Sequence, residues 1–237
     1  MSATNIQNFS GDIQVRGTTF IKANSNTNNI AIGTSAGLTV QGINTVAVGN
    51  SAGKVNQATS AIAIGVSAGE QSQEASAIAI GVLAGTADQG SLSVAVGQQA
   101  GQTSQGSTAV AIGYVAGNTS QNNNAVAMGV NAGYNAQGAQ GVAVGNAAGY
   151  NGQGASATAV GDSAGNIGQT AYATAVGHQA GSNAQGTYAT ALGVLAGQVS
   201  QGASAVAVGH DTGRTSQGEN AVAVGKSAGS NAQGVNT

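Results

Sequence analysis

A unit of sixteen residues, repeated thirteen times from about residue 29 to residue 237 without insertion or deletion, constrains this chain more than any other feature. It reads AVAMGVNAGYNAQGAQ over 125–140 and AVAVGKSAGSNAQGVN over 221–236. Gly33 recurs in phase to Gly225, Gly37 to Gly229, Ala31 to Ala223 and Gln41 to Gln233, each without exception. Columns held in phase over so many periods are the signature of a solenoid, in which each coil contacts its neighbours and stacking builds the core. Sixteen residues suit two short strands and two corners. At about 4.8 Å per coil the repeats make a rod on the order of 60 Å long.

The 40 glycines would suggest a flexible linker in another chain, but most of them stand in the columns of Gly33, Gly37 and Gly42 and are parts of corners. Two or three glycines per coil would each cost about 1 kcal/mol in a helix, and nothing repeats at 3.6 residues. The chain has no proline, so no strand lacks a backbone donor. The expected fold class is all-β: a parallel β-solenoid of thirteen coils, with residues 29–237 as the repeat domain. Residues 29–33 of each coil alternate small and β-branched residues and read as a first strand; residues 38–41 read as a second, weaker one. Residues 1–28 lack the period. The stretches from Ile13 and from Thr18 read as two short strands around Gly17, and Asn24 to Asn29 reads as a polar junction. Together with Phe9 and Phe20 they make an N-terminal cap or attachment segment, since the open edge of a solenoid needs cover.

One face of the first strand carries Ile30, Ile32 and their copies, mostly Val, Ile, Leu or Met; the other carries Ala31 and a mostly alanine column such as Ala61 and Ala77. The alternation is compatible with either face inward. With Val/Ile inside, the alanine face becomes an uncharged outer stripe along the whole rod, more apolar surface than a monomer usually exposes. Another copy of the chain is then its expected cover, under cyclic symmetry.

The glutamine column, Gln41, Gln57, Gln73, Gln89, Gln105, Gln121, Gln137, Gln153, Gln169, Gln185, Gln201, Gln217 and Gln233, has two structural readings. Stacked amides in register can hydrogen-bond coil to coil as a ladder, or each can cap the backbone of a turn. Tyr134 and Tyr150 share a column, as do Tyr172 and Tyr188, and read as stacked ring pairs. Thr158, Thr174 and Thr190 replace Val in three consecutive coils, either as isosteric residues bonding coil to coil or, with Tyr172 and Tyr188, as a ligand patch for glycan or receptor.

Charged residues are 5% of the chain and the net charge is −2, which leaves no basic face for nucleic acid or anionic lipid. No cysteine is present for disulfides or thiolate metal sites. Apolar runs of four or five residues are too short to insert in a membrane, and the N-terminus has no Sec-type signal pattern. The two histidines, His178 and His210, share the column of Thr34 two coils apart and read as solvated surface residues; Lys54 with Glu70, and Asp162 with His178, stand one coil apart and read as surface pairs. Calcium-binding β-rolls need an aspartate in each turn, and Asp88, Asp162 and Asp211 are isolated. The reading is therefore of a non-enzyme with no cofactor and no metal.

The element Val-Ala-Val-Gly-x-x-Ala-Gly, as in Val222 to Gly229, resembles the head repeat of trimeric autotransporter adhesins, and glycine-punctuated repeats of phage and large-virus fibre proteins are similar. The likeness covers residues 30–237, with a longer period and an added Gln-Gly corner. It implies a left-handed β-roll, three chains about one axis, and a structural fibre or adhesin. With no secretion signal, stalk or anchor pattern, the expectation is a homotrimeric rod of a virion, a tail or an extracellular fibre. End-to-end filaments are a variant, since the sequence stops at a repeat boundary. The alternatives are an adhesin or receptor-binding head contacting host glycans or proteins, and, less favoured, ice binding.

Overall fold

The structure, a computed structural model, describes residues 13–15, 18–24 and 28–237, with side chains from residue 28 onward. Strand β1 (Ile13–Val15) pairs antiparallel with β2 (Thr18–Asn24). β2 in turn pairs antiparallel with β3 (Asn29–Ile32), setting Ile21 opposite Ile32 and Asn24 opposite Asn29. The N-terminal pair thereby extends the first sheet, with β1 as its edge strand. Phe9, Asp12, Arg16, Gly17 and the 25–27 part of the expected junction lie outside the described residues.

From β3 onward the chain is an all-β parallel solenoid of about thirteen turns. The first sheet stacks β3 on Val46–Val48, Ile62–Ile64 and so on to Val222–Val224, each strand paired with its copy sixteen residues away. The second sheet begins at β4 (Thr39–Gln41) and runs as seven strands to Asn135–Gln137; after a gap it resumes as five strands from Ile167–Gln169 to Asn231–Gln233. Single bridges through Asn151 span the gap.

A coil of sixteen residues closes because five of them take positive φ. In the first coil these are Gly33 (123°), Ser35 (58°), Gly37 (53°), Val40 (51°) and Asn44 (60°), and the same positions turn in the coils above. The middle residue of the second strand is one of them, so that strand pairs only through its first and third residues, as Ala87 with Thr103 and Gln89 with Gln105. The Gly33 column shows why no other residue stands there. Its φ lies outside the range of L side chains, and a Cβ on Gly65 would fall 2.5 Å from the carbonyl oxygen of Gly81.

The inward face is alanine. Ala47, Ala63, Ala79 and their copies in the first strand, Ala52, Ala68, Ala84 and theirs at the corner, and Ala61, Ala77 and theirs before the first strand are all buried. Of the two faces that the alternation left open, the Val and Ile face turns outward: Ile64, Ile80, Ile112 and Met128 are among the exposed apolar side chains, and the Val column of Val46 is half-buried. Volume decides it. A Cβ on Gly37 would lie 3.2 Å from the Ala31 Cβ, so the column of Ala31 has room for a methyl group beside the amide; Thr45 and Thr212 are the larger side chains buried in the other two interior columns.

Candidate functional site

Each interior glutamine bridges the two strands of its coil. Gln73 Nε2 donates to the carbonyl of Ile62 at 2.8 Å, to that of Ala77 at 3.2 Å, and to Gln89 Oε1 at 3.1 Å. The amide–amide bonds run Gln57–Gln73–Gln89–Gln105–Gln121–Gln137 and again Gln153–Gln169–Gln185–Gln201–Gln217. One side chain thus makes both kinds of contact, an amide–amide bond along the rod and bonds to backbone carbonyls. The Gly37 column is its complement: a Cβ on Gly85 would sit 2.6 Å from Gln89 Oε1. Gln41 differs, donating to the Gly53 carbonyl at 2.8 Å, and Gln233 to that of Val222 at 3.0 Å.

The ladder breaks between Gln137 and Gln153, beside the gap in the second sheet. Gly141 replaces the usual alanine there, and Gln153 Oε1, buried and without a partner, lies 3.3 Å from where the missing Cβ would be. Without that methyl, the Gln153 amide oxygen occupies space that an alanine there would crowd. Gly152 in the same coil takes the left-handed position of the second strand at φ 72°.

On the outside, the rings of Tyr134 and Tyr150 stack at 4.9 Å and 7°, and those of Tyr172 and Tyr188 at 5.1 Å and 10°. The first pair is partly buried; the second is exposed by 54% and 61%. Thr158, Thr174 and Thr190 pair in register in the first sheet with their side chains half-buried on its outer face. Among the described residues no hydrogen bond links their hydroxyls from coil to coil. Lys54 Nζ meets Glu70 Oε1 at 3.3 Å and His178 Nε2 meets Asp162 Oδ2 at 3.5 Å, both on the surface where such pairs contribute little. No group of three or more His, Asp or Glu among the described residues is placed to hold a metal ion.

The feature that the sequence reading missed is an outward apolar seam. Ile64, Val66, Ile80, Val82, Ile112, Tyr114, Met128 and Val130 are exposed along one side of the rod. The signal was present in the column of Thr34, which carries Val66, Val82, Tyr114 and Val130 at a corner that cannot point inward. Comparison of this chain with family models, with curated proteins and with solved structures gives no match.

Proposed function

We propose that the chain is a non-enzymatic structural rod that packs side by side with copies of itself as a homotrimer, serving as a fibre of a virion or an extracellular surface. The observation that carries this reading is the outward seam. The exposed side chains of the seam from Ile64 to Val130 occupy about 20 Å of the rod by the coil spacing and amount to several hundred Å² of apolar surface by rough estimate, toward the upper end of what a monomer exposes. The cover originally expected for an alanine stripe is thus needed by the opposite face. The resemblance of the Val-Ala-Val-Gly-x-x-Ala-Gly element to trimeric heads supports a threefold arrangement, and the coil repeated without insertion supports a structural body.

Light-scattering mass after size exclusion tests it. The expected mass is three times the 22.4 kDa chain. Replacing Ile64, Ile80 and Ile112 together with lysine puts like charges into the seam while touching no interior column. This variant is expected to run as a single chain with its β circular-dichroism signal retained. A wild-type mass of one chain would remove the reading.

A further inference from the structure

The seam does not continue unchanged toward the C-terminus. Past the break at Gly152 the Val column becomes Thr158, Thr174 and Thr190, and the corner column, polar already at Asn146, carries Asp162 and His178. Beside these threonines stands the exposed pair Tyr172 and Tyr188, each two residues before a threonine in the chain.

The tyrosines occupy a poor place for tyrosine. Both have φ 61°, in the left-handed corner before the first strand. Coils elsewhere fill that corner mainly with Asn or Ser, and Asn tolerates positive φ best among residues with a side chain. Asn also gains a coil-to-coil bond there: Asn28 Nδ2 donates to Asn44 Oδ1 at 3.2 Å and Asn220 Nδ2 to Asn236 Oδ1 at 3.1 Å. The two rings take on backbone strain, forgo that bond and remain more than half exposed. Tyr134 and Tyr150, in a column without positive φ, show that the fold can stack tyrosines without such strain. Leu92 occupies the same corner singly, at φ 58° and exposed, whereas Tyr172 and Tyr188 stack two strained, solvent-facing rings over the threonine row, and that combination points to a role outside folding.

We propose that Tyr172 and Tyr188, with the threonine row, form a binding site for a neutral saccharide. The neighbouring rungs are Ser156 and Ser204, so one coil spacing, about 4.8 Å, beyond each outer ring face stands a small side chain and not a third ring, which leaves that face open to a sugar ring laid on it. The hydroxyls of Thr158, Thr174 and Thr190 stand one coil apart on the adjacent strands and donate to no protein group among the described residues. They match a polyhydroxyl partner. Charge selects the class: between residues 151 and 206 the only acidic or basic side chains are Asp162 and His178, which face each other at 3.5 Å. Neither an anionic nor a cationic ligand finds a counter-charge.

The site needs no neighbouring chain, so its test separates from that of the rod's assembly. The full-length protein is titrated with lactose, cellotetraose and chitotetraose, reading saturation transfer to the sugar protons and shifts of the tyrosine ring resonances. At least one of the three is expected to bind in the millimolar range or tighter. Replacing Tyr172→Asn and Tyr188→Asn together is expected to weaken binding by about tenfold or more. It should leave mass and thermal midpoint unchanged or raise the midpoint, because asparagine suits the corner. Tyr134→Asn with Tyr150→Asn, and the lysine variant of the seam, should bind as wild type. Absence of any signal up to about 10 mM, binding that survives loss of Tyr172 and Tyr188, or binding seen only with a sulfated sugar and abolished by salt would each overturn the site.

Discussion

Gln105→Glu is expected to destabilise the rod by about 3–5 kcal/mol at pH 7 and to recover much of that loss in acid, although the two side chains have nearly the same shape. Gln105 is buried. Its Nε2 faces three oxygens, those of Val94 at 2.9 Å, Ala109 at 3.5 Å and Gln121 Oε1 at 3.1 Å, while its Oε1 accepts from Gln89 at 3.2 Å. A carboxylate keeps the last bond and turns an unprotonated oxygen toward the other three. Protonation restores one donor, so folding holds the proton and raises the carboxyl pKa above its unfolded value of about 4.3. With more protons bound folded than unfolded, stability falls as pH rises. The restored stability is fully present below the unfolded pKa and is lost as pH climbs through the raised one. Thermal midpoints of Q105E and wild type, measured in parallel from acid to neutral pH, should converge at the acid end. Parallel curves would show that the amide does not face those oxygens. Gln105→Leu, by contrast, should lose about 2–4 kcal/mol with no added pH dependence, through buried carbonyls left unpaired.

The period, the strand positions and the corners were legible because each repeats in phase, so the sequence served as its own alignment. Gln41 and its copies declared a structural amide by recurring without exception. Which face of the first strand turns inward was harder, because a period of two has no sign. The deciding signal is tolerance. The column of Ile32 admits Val, Ile, Met and Leu, whereas the column of Ala31 admits nothing but alanine, and only a wall in contact is so strict. Hydrophobicity alone would put the larger side chains inside, on the wrong side. In a coil this thin, size outranks hydrophobicity. The break at Gly152 was likewise written in the chain, as five glycines at 141, 145, 149, 152 and 154 within one coil, but its effect depends on the amide of Gln153 losing its contact, which periodicity does not display. The Tyr and Thr columns could be read from the sequence. What it did not display is that Tyr172 and Tyr188 take φ 61° and stand exposed, whereas Tyr134 and Tyr150 are partly buried without positive φ.

The inward alanine face yields the second large effect, in a variant that conserves composition type while inverting the strand. Val110→Ala, Ala111→Val and Ile112→Ala together place the branched residue on the other side of one strand in the middle of the rod. Ala111 has no exposed surface, and the would-be Cβ of Gly117 already approaches its methyl at 3.1 Å. Two further methyl groups have nowhere to go but against the corner and the amide of Gln121. Overpacking of this kind costs about 1–3 kcal/mol in cores that can relax. Here relaxation would have to part coils joined by the ladder and by both sheets, so the upper part of that range is expected from Ala111→Val alone. The outward pair, Val110→Ala with Ile112→Ala, should cost well under the inward change per chain, about 1 kcal/mol or less for side chains that folding leaves half in water. It should instead weaken assembly, because Ile112 belongs to the seam. Thermal midpoint and light-scattering mass, read on the inward single, the outward double and the triple variant, separate the two consequences. A midpoint that falls more for the outward double than for Ala111→Val, in a chain that remains monomeric, would return the Val and Ile columns to the interior.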